Sequence, residues 1–366
     1  MHLLLDAAVF EFPPTGIAKV TAGLAAACLA QDPDLSITAL HRRPLAQAFP
    51  SAIRAKSFGR HLPYRMWRSL AFRAATKTIP VAWFPWNGDV PALSPRVTVV
   101  SILHDVLPLI LPDHFTSPEQ ETAYRQRVQR DIDRTHLLFT DSDYSRQQIL
   151  SHFRVKGEPY VLRFGPTLHP PTQHTTPPAT YASPYFLYVG GYDKRKGIEH
   201  LLRVFLALHK EQRITSRLIL TGSKRHVSED LRALIESGIA MRVVEETGYV
   251  DEGTLSDLYH HALALVYPSI YEGFGLPPLE AMAAGCPVIT TRGTSLPEVC
   301  ENAALYIDPE DSPSFRDALV TLEHNTQIRE ELRQKGLRRA ATFSWEAAAT
   351  QFLDALRAVV RQRSIK

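Results

Sequence analysis

The sequence has few of the features that mark secreted, membrane-spanning or disulfide-rich proteins. Its three cysteines, Cys28, Cys286 and Cys300, are odd in number and widely spaced, which fits neither a disulfide framework nor a metal site. We therefore expect buried thiols in a reducing compartment. No stretch approaches roughly 18 uninterrupted apolar residues, which argues against a spanning helix. The first ten residues lack a basic segment and reach Asp6 early, so they predict a first strand and not a signal peptide.

The chain has no large excess of positive or negative charge, but its charged residues are unevenly distributed between the two halves. Residues 1–170 carry 19 Lys and Arg against 14 Asp and Glu, whereas the remainder carries 22 against 24. The basic residues concentrate in 54–77, where Trp67 lies on a predicted apolar helix face and Arg65 and Arg68 lie off it. This pattern is typical either of a solvated helix face or of a surface that meets anionic lipid head groups or a phosphate-bearing acceptor. No recognised nucleic-acid-binding motif accompanies it, so we expect no nucleic-acid partner.

Length and periodicity indicate two α/β domains. A chain of 366 residues exceeds what one core usually organises. In both halves strand-like segments alternate with helical ones, which predicts two parallel sheets covered by helices, with the ligand in a cleft at the carboxyl ends of the strands. The predicted boundaries are a first domain at 1–168, a Pro- and Thr-rich linker at 169–184, a second domain at 185–343 and a helix at 344–366 that crosses back to the first domain.

Two carboxylates stand on either side of a turn in the C-terminal half. The apolar run 263–269 predicts a buried strand, and Pro277, Pro278 and the following residues predict a helix that ends at Gly285. Glu272 lies in the glycine loop between them and Glu280 lies on the helix. Backbone N–H groups of such a loop suit an anion, and ionised carboxylates accept from paired hydroxyls. A ligand with both phosphate and vicinal hydroxyls is a nucleotide or a nucleotide-sugar.

A second glycine loop at 188–197 (YVGGYDKRKG) places two cations beside a helix start. Gly190 and Gly191 end a predicted strand, and Arg195 with Lys196 precede the next helix. A diphosphate needs such cations for binding and for charge neutralisation as it leaves. The alternative is a basic surface turn.

Residues 271–289 (YEGFGLPPLEAMAAGCPVI), followed by 295–299 (SLPEV), resemble the retaining glycosyltransferases of sequence family four. Those enzymes have the GT-B fold, two Rossmann-like domains facing each other across a central cleft, and a Glu-x7-Glu motif in this context. The resemblance extends to 188–197, 247–250, 258–269 and 343–356, and more loosely to 15–28, 102–109 and 140–149.

The resemblance implies a role for each matching position. Glu272 would hold hydroxyls of the donor sugar, Arg195 and Lys196 would bind the diphosphate, and His104 would contact the transferred sugar from the first domain. From the residues alone, His104 beside Asp105 also fits a structural pair. Glu280 would grip the nucleotide ribose. The donor-binding positions that the resemblance implies are Gly16, Gly191, Tyr249, Val250, Phe274, Gly275, Leu276 and Glu280.

The resemblance also implies that no cofactor or essential metal is needed. The run Asp141-Ser142-Asp143 is similar to a metal-chelating Asp-x-Asp, but a strand is predicted to end near Asp141, and Ser145 with Gln148 predicts a capping box. Arg195, Lys196 and helix dipoles would replace the divalent cation. The aromatic run 83–86 (WFPW) predicts core or cleft wall, with acceptor binding as the alternative.

The function implied by the resemblance is that of a cytoplasmic hexosyltransferase. The basic charge of the N-terminal half adds the hypothesis that the enzyme is peripheral at the inner face of the plasma membrane. It would transfer mannose from GDP-mannose, with retention, to a glycan or lipid-linked acceptor in O-antigen, exopolysaccharide or other surface polysaccharide synthesis. The alternatives are a GT-B sugar-nucleotide epimerase, a glycoside hydrolase that uses Glu272 and Glu280, and an inactive glycan-binding or nucleotide-binding module.

Overall fold

The protein divides into two compact units. The computed structural model describes residues 1–12, 15–46, 52–57, 61–111, 114–168, 183–222, 227–309 and 311–364. Unit 1 comprises Met1–Gly165 and Ser344–Lys366, and unit 2 comprises Pro166–Phe343. Residues 169–182 of the predicted linker lie outside the described residues.

Unit 1 is built on a parallel sheet. Within the described residues this sheet has seven strands in the order β3-β2-β1-β4-β5-β6-β7. They are β1 (His2–Asp6), β2 (Ser36–His41), β3 (Arg54–Ser57), β4 (Val81–Phe84), β5 (Thr98–Ile102), β6 (Leu137–Thr140) and β7 (Tyr160–Val161). The direction of the strand order reverses between β1 and β4, which makes the carboxyl ends of these strands the topological switch point.

Four helices of unit 1 lie between its strands. They are α1 (Gly16–Gln31), α2 (Tyr64–Ala75), α3 (Pro118–Arg134) and α4 (Asp143–His152). The capping box predicted at Ser145 is wrong, because α4 begins two residues earlier. The Ser142 hydroxyl accepts the N–H of Ser145 at 3.0 Å, so Ser142 is the N-cap and Ser145 lies in the first turn.

Unit 2 is a second parallel sheet with helices. Among the described residues its strand order is β10-β9-β8-β11-β12-β13, with a switch point between β8 and β11. The strands are β8 (Tyr185–Val189), β9 (Arg217–Thr221), β10 (Val244–Gly248), β11 (Ala264–Tyr267), β12 (Val288–Thr291) and β13 (Ala304–Ile307). The helices are α5 (Ile198–Lys210), α6 (Glu229–Ala240), α7 (Glu252–His261), α8 (Leu276–Ala283), α9 (Leu296–Cys300), α10 (Ser312–His324) and α11 (Thr326–Ala340).

The last helix, α12 (Trp345–Ser364), belongs to unit 1. Its Phe352 ring lies 5.0 Å from the ring of Trp83 and 5.1 Å from that of Phe139, centroid to centroid. Arg357 at 2.8 Å from Asp32 ties α12 to the end of α1. An apolar seam and an ion pair therefore hold this helix on the first sheet.

The three cysteines are free and buried, which confirms that part of the prediction, and burial raises the pKa of each to about 12. No helix in the described part of the chain is long and apolar enough to cross a membrane.

Candidate functional site

Two loops meet at the switch point of unit 2. The first follows β8 and carries Arg195 and Lys196; the second follows β11 and carries Glu272. The N–H of Ile270 in the second loop donates to the carbonyl of Arg195 at 2.8 Å. Gly197 has φ +68°, and a Cβ there would lie 2.3 Å from the carbonyl oxygen of Pro268, so only glycine allows this approach.

The carboxylate of Glu272 gathers four donors on a single oxygen. Its Oε1 accepts from Lys196 Nζ at 2.5 Å, Ser269 Oγ at 2.5 Å, Tyr267 Oη at 2.8 Å and Arg195 Nη1 at 3.3 Å. No donor among the described residues reaches its Oε2. Burial acts to raise the pKa of Glu272, but the charges of Lys196 and Arg195 outweigh it and hold the pKa below its ordinary value. Glu272 is therefore an ionised acceptor with one oxygen left for a hydroxyl.

Side chains from the next loop fix the backbone around Glu272. Its N–H donates to the Thr294 hydroxyl at 3.0 Å, and the Ser295 hydroxyl donates to the carbonyls of Glu272 and Phe274 at 2.9 and 2.7 Å. Gly275, at φ +115°, then turns the chain into α8. The family resemblance assigns no role to Tyr267, Ser269, Thr294 or Ser295, although the first two lie in the motif 258–269, Ser295 lies in the motif 295–299 and Thr294 directly precedes it.

Glu280 lies one helical turn into α8 and has a separate set of partners. Its Oε1 accepts from the Thr167 hydroxyl, and its Oε2 lies 3.4 Å from the Tyr259 hydroxyl. The residue is 4% exposed. Glu272 and Glu280 thus take their hydrogen bonds from different donors.

The other predicted donor-binding residues of unit 2 follow the carboxyl ends of its strands. Gly191 follows β8, Tyr249 and Val250 follow β10, and Phe274 to Leu276 follow β11. Tyr249 is 62% exposed, so its ring is accessible. A base, a diphosphate and a sugar can therefore contact one sheet edge.

The predicted site residues of unit 1 are Gly16 and His104. Gly16 begins α1, where the Thr15 hydroxyl accepts the N–H of Ala18 at 3.3 Å. His104, just beyond β5, is buried, with Nδ1 at 2.7 Å from Asp141 and Nε2 at 2.8 Å from the carbonyl of Pro85. The alternative of a structural pair with the adjacent Asp105 is therefore wrong in its partner, because the carboxylate bonded to His104 is that of Asp141.

Both ring nitrogens of His104 face acceptors, which suits an imidazolium. Burial alone lowers the pKa of His104, but the charge and hydrogen bond of Asp141 outweigh it, so the net pKa lies above its ordinary value. The Asn87 side chain accepts the backbone N–H of His104 at 2.8 Å and fixes the loop. Both ring nitrogens of His104 are therefore hydrogen-bonded to groups of unit 1.

The interpretation of Trp67 and Arg68 as a membrane or acceptor surface is wrong. Trp67 is fully buried and Arg68 is 1% exposed. Arg68 pairs with the buried Asp6 at the end of β1, and the Phe84 and Trp86 rings each lie 5.2 Å from its guanidinium carbon. An unpaired carboxylate at that position would be costly, so the arginine turns inward.

The outward face of α2 is formed by other residues. Arg65 is exposed as predicted, but it stands beside Met66 at 50% and Leu70 at 46% exposure, with Arg73 one turn further on. This face therefore combines apolar and basic side chains.

The carboxylates of the Asp-Ser-Asp run diverge. Asp141 binds His104, whereas Asp143 at the start of α4 pairs with Arg146 and Arg163. Throughout the described residues there is no group of three or more His, Cys, Asp or Glu that could hold a metal ion.

Comparison with known proteins gives a consistent result. Residues 176–339 match the family model described as glycosyl transferases group 1. The chain is 33% identical over 265 residues to O-antigen chain mannosyltransferase B of Escherichia coli, covering 70% of this chain and 69% of that protein. It is 24% identical over 286 residues to the E. coli serotype-specific mannosyltransferase WbdA, of which it spans 34%.

Among solved structures, the fold is similar to that of WaaG, a glycosyltransferase involved in lipopolysaccharide biosynthesis. The TM-score is 0.75 at 17% identity, over 97% of this chain and 99% of that one. This likeness confirms the expected GT-B fold.

Proposed function

Since this chain belongs to the group 1 glycosyl transferases, we propose that it moves a hexose from a nucleotide-diphosphate sugar to a hydroxyl of a growing glycan or lipid-linked acceptor. The observation that carries this proposal is the convergence of Lys196 and Arg195 on Glu272 at the switch point of unit 2. Two cations and an acceptor carboxylate at one sheet edge suit a diphosphate joined to a sugar.

The proposed reaction proceeds with retention and without a protein nucleophile. The acceptor oxygen forms a bond to the anomeric carbon on the face from which the diphosphate oxygen leaves, and the acceptor proton passes to that leaving oxygen. Arg195 and Lys196 stabilise the negative charge that develops on the diphosphate. Glu272 accepts a sugar hydroxyl through Oε2 and orients the ring. His104, as an imidazolium, would turn a donor N–H toward the transferred sugar.

We propose GDP-mannose as the donor and a surface polysaccharide, such as an O-antigen or exopolysaccharide, as the product. The support is the name of the E. coli relative, an O-antigen chain mannosyltransferase. In this proposal Glu280 binds the ribose, Tyr249 and Val250 lie along the base, and the cations with the α8 N-terminus take the place of a divalent metal.

We further propose that the enzyme works in the cytoplasm, attached peripherally to anionic lipid through the outward face of α2. Met66 and Leu70 would enter the head-group boundary and Arg65 and Arg73 would meet its negative charge. The test is co-sedimentation with anionic and neutral vesicles at low salt. Binding to anionic vesicles that Arg65→Glu/Arg73→Glu abolishes supports the proposal, and equal behaviour with both vesicles refutes it.

The function itself is tested by binding and transfer. Thermal shift with UDP, GDP, ADP and CMP should show one diphosphate that stabilises the wild type, and Lys196→Ala and Glu280→Ala should each lose that shift. A ligand at about 100 times its Kd adds about 2.7 kcal/mol of stability. Glu199→Gln is a matched control, because Glu199 forms an exposed ion pair with Arg203 on α5.

The same protein should then transfer labelled mannose from GDP-mannose to a lipid-linked or glycan acceptor. Consumption of donor without acceptor would favour the epimerase, and release of sugar from a simple glycoside without nucleotide would favour the hydrolase. Binding without turnover would leave a nucleotide-binding module.

A further inference from the structure

Thr167 lies in the segment where the chain enters unit 2, residues 166–168, which we call the entry segment. Its hydroxyl is hydrogen-bonded to an oxygen of Glu280. The chain passes from unit 1 to unit 2 between Gly165 and Pro166, so Thr167 is the second residue of unit 2. Its hydroxyl donates to Glu280 Oε1 across 113 positions of sequence. Within unit 2 this contact joins the entry segment directly to helix α8.

The Thr167–Glu280 contact pairs a hydroxyl with a carboxylate, which are the same two groups that would meet when a carboxylate binds a ribose. Thr167 offers a secondary aliphatic hydroxyl, as a ribose does at its 2′ and 3′ positions, and an ionised carboxylate only accepts hydrogen bonds. On the other side the Tyr259 hydroxyl, which is buried, lies 3.4 Å from Oε2. With Glu280 only 4% exposed, a ribose reaches the carboxylate only if a neighbouring group moves away.

We propose that Thr167 is a positioning residue that holds Glu280 in the empty enzyme and is displaced from it by the ribose of a nucleoside diphosphate. The inference rests on the proposed function, in which Glu280 binds the donor ribose. The Thr167 hydroxyl donates to one oxygen of a buried carboxylate, and the ribose hydroxyl replaces that hydrogen bond one for one. Donor affinity is then reduced by competition with the protein's own hydroxyl.

Gly165, the residue of unit 1 that directly precedes the entry segment, packs against Trp345 of the same unit. A Cβ on Gly165 would lie 2.7 Å from the Trp345 indole, so the backbone of Gly165 lies directly against that ring. Trp345 is the first residue of α12 and lies next to the point where the chain returns to unit 1. Release of Thr167 therefore moves a short stretch whose preceding residue, Gly165, is packed against Trp345.

The test compares nucleotides with and without ribose hydroxyls. Dissociation constants of GDP and UDP, each with its 2′,3′-dideoxy analogue, are measured calorimetrically on the wild type and on Thr167→Val, Thr167→Ser and Glu280→Gln. Valine keeps the shape and removes the donor, whereas serine keeps the hydroxyl. We expect Thr167→Val to tighten binding of the ribonucleotide roughly three- to tenfold, the worth of one net hydrogen bond, and to leave the dideoxy analogue unchanged. Thr167→Ser should match the wild type.

The other outcomes distinguish failure of the Thr167 proposal from failure of the proposed donor site. If Thr167→Val weakens both ligands equally or changes neither, while Glu280→Gln weakens only the ribonucleotide, Thr167 has no competing role but the ribose site stands. If Glu280→Gln does not discriminate the two ligands, or no diphosphate binds the wild type, the donor site of the proposed function fails, and this inference fails with it. Thermal unfolding of each variant confirms that it is folded.

Discussion

Removal of the Glu272 carboxylate should destabilise unit 2 strongly. In Glu272→Ala the ammonium of Lys196, which is 9% exposed, keeps only the Tyr267 hydroxyl, 2.8 Å away, as its partner among the described residues. Arg195 loses the same oxygen. Breaking a buried pair by removing one member typically costs about 3–5 kcal/mol, because a charge remains buried without compensation. At roughly 2–4 °C per kcal/mol for a unit of this size, Tm should fall by about 10 °C.

The assay is thermal unfolding near neutral pH, followed by calorimetry and by far-UV circular dichroism. Glu272→Gln keeps an oxygen acceptor without the charge, so its Tm should lie between those of the wild type and Glu272→Ala. In Glu272→Ala/Lys196→Met the uncompensated charge is gone, and most of the lost stability should return. Glu199→Gln, at an exposed pair, should change Tm by no more than a degree or two, since such pairs contribute about 0–1 kcal/mol.

Two results would refute this reasoning. The first is a Tm of Glu272→Ala close to that of Glu199→Gln, because the pair would then not be buried. The second is a double variant whose loss of Tm equals the sum of the losses in Glu272→Ala and Lys196→Met, because Lys196 and Glu272 would then not interact.

Three further predictions follow from individual contacts. Gly197→Ala should cost about 2 kcal/mol or more in urea unfolding, since it combines φ +68° with a Cβ 2.3 Å from the Pro268 carbonyl, whereas Gly248→Ala, at φ +70° with open space, should cost less. Because the folded-state pKa of His104 is raised, its stabilisation is complete below its unfolded pKa of about 6.5 and is lost as pH rises through the folded value. A Tm series from mildly acidic to alkaline pH should show this loss in the wild type and not in Asp141→Asn. Excess EDTA should leave nucleotide binding and transfer unchanged, and a requirement for added Mg²⁺ would contradict the proposed role of Arg195 and Lys196.

The elements that form the Glu272 loop could be predicted because their signals are local. Pro277 and Pro278 fix the first turn of α8, glycine precedes it at Gly275, and an apolar run marks β11. The alternation of strands and helices likewise predicted two parallel sheets. In a parallel sheet the loops beside the switch point lie together, which is why Lys196 meets Glu272 although 76 positions separate them.

The partners of the other charged groups could not be read in the same way. His104 binds Asp141, 37 positions away, and not the adjacent Asp105. Arg68 lies at a position where helical periodicity predicts solvent, yet it turns inward to a carboxylate on β1. Such pairings depend on which strand ends are neighbours and on the need to compensate a buried charge, and neither appears in a local sequence window.

Lys196 and Arg195 differ in their burial and in their distance from the Glu272 carboxylate. Lys196 is the more buried and bonds Glu272 at 2.5 Å, whereas the Arg195 side chain is 24% exposed and lies 3.3 Å from the same oxygen. Both cations contact the same oxygen of Glu272. Because the Arg195 guanidinium is the more accessible of the two cations and is more weakly hydrated than an ammonium, Arg195 is suited to the first contact with a diphosphate. In the proposed reaction Lys196 fixes the carboxylate that would orient the sugar, so binding of the leaving group and orientation of the reacting ring would depend on one set of contacts.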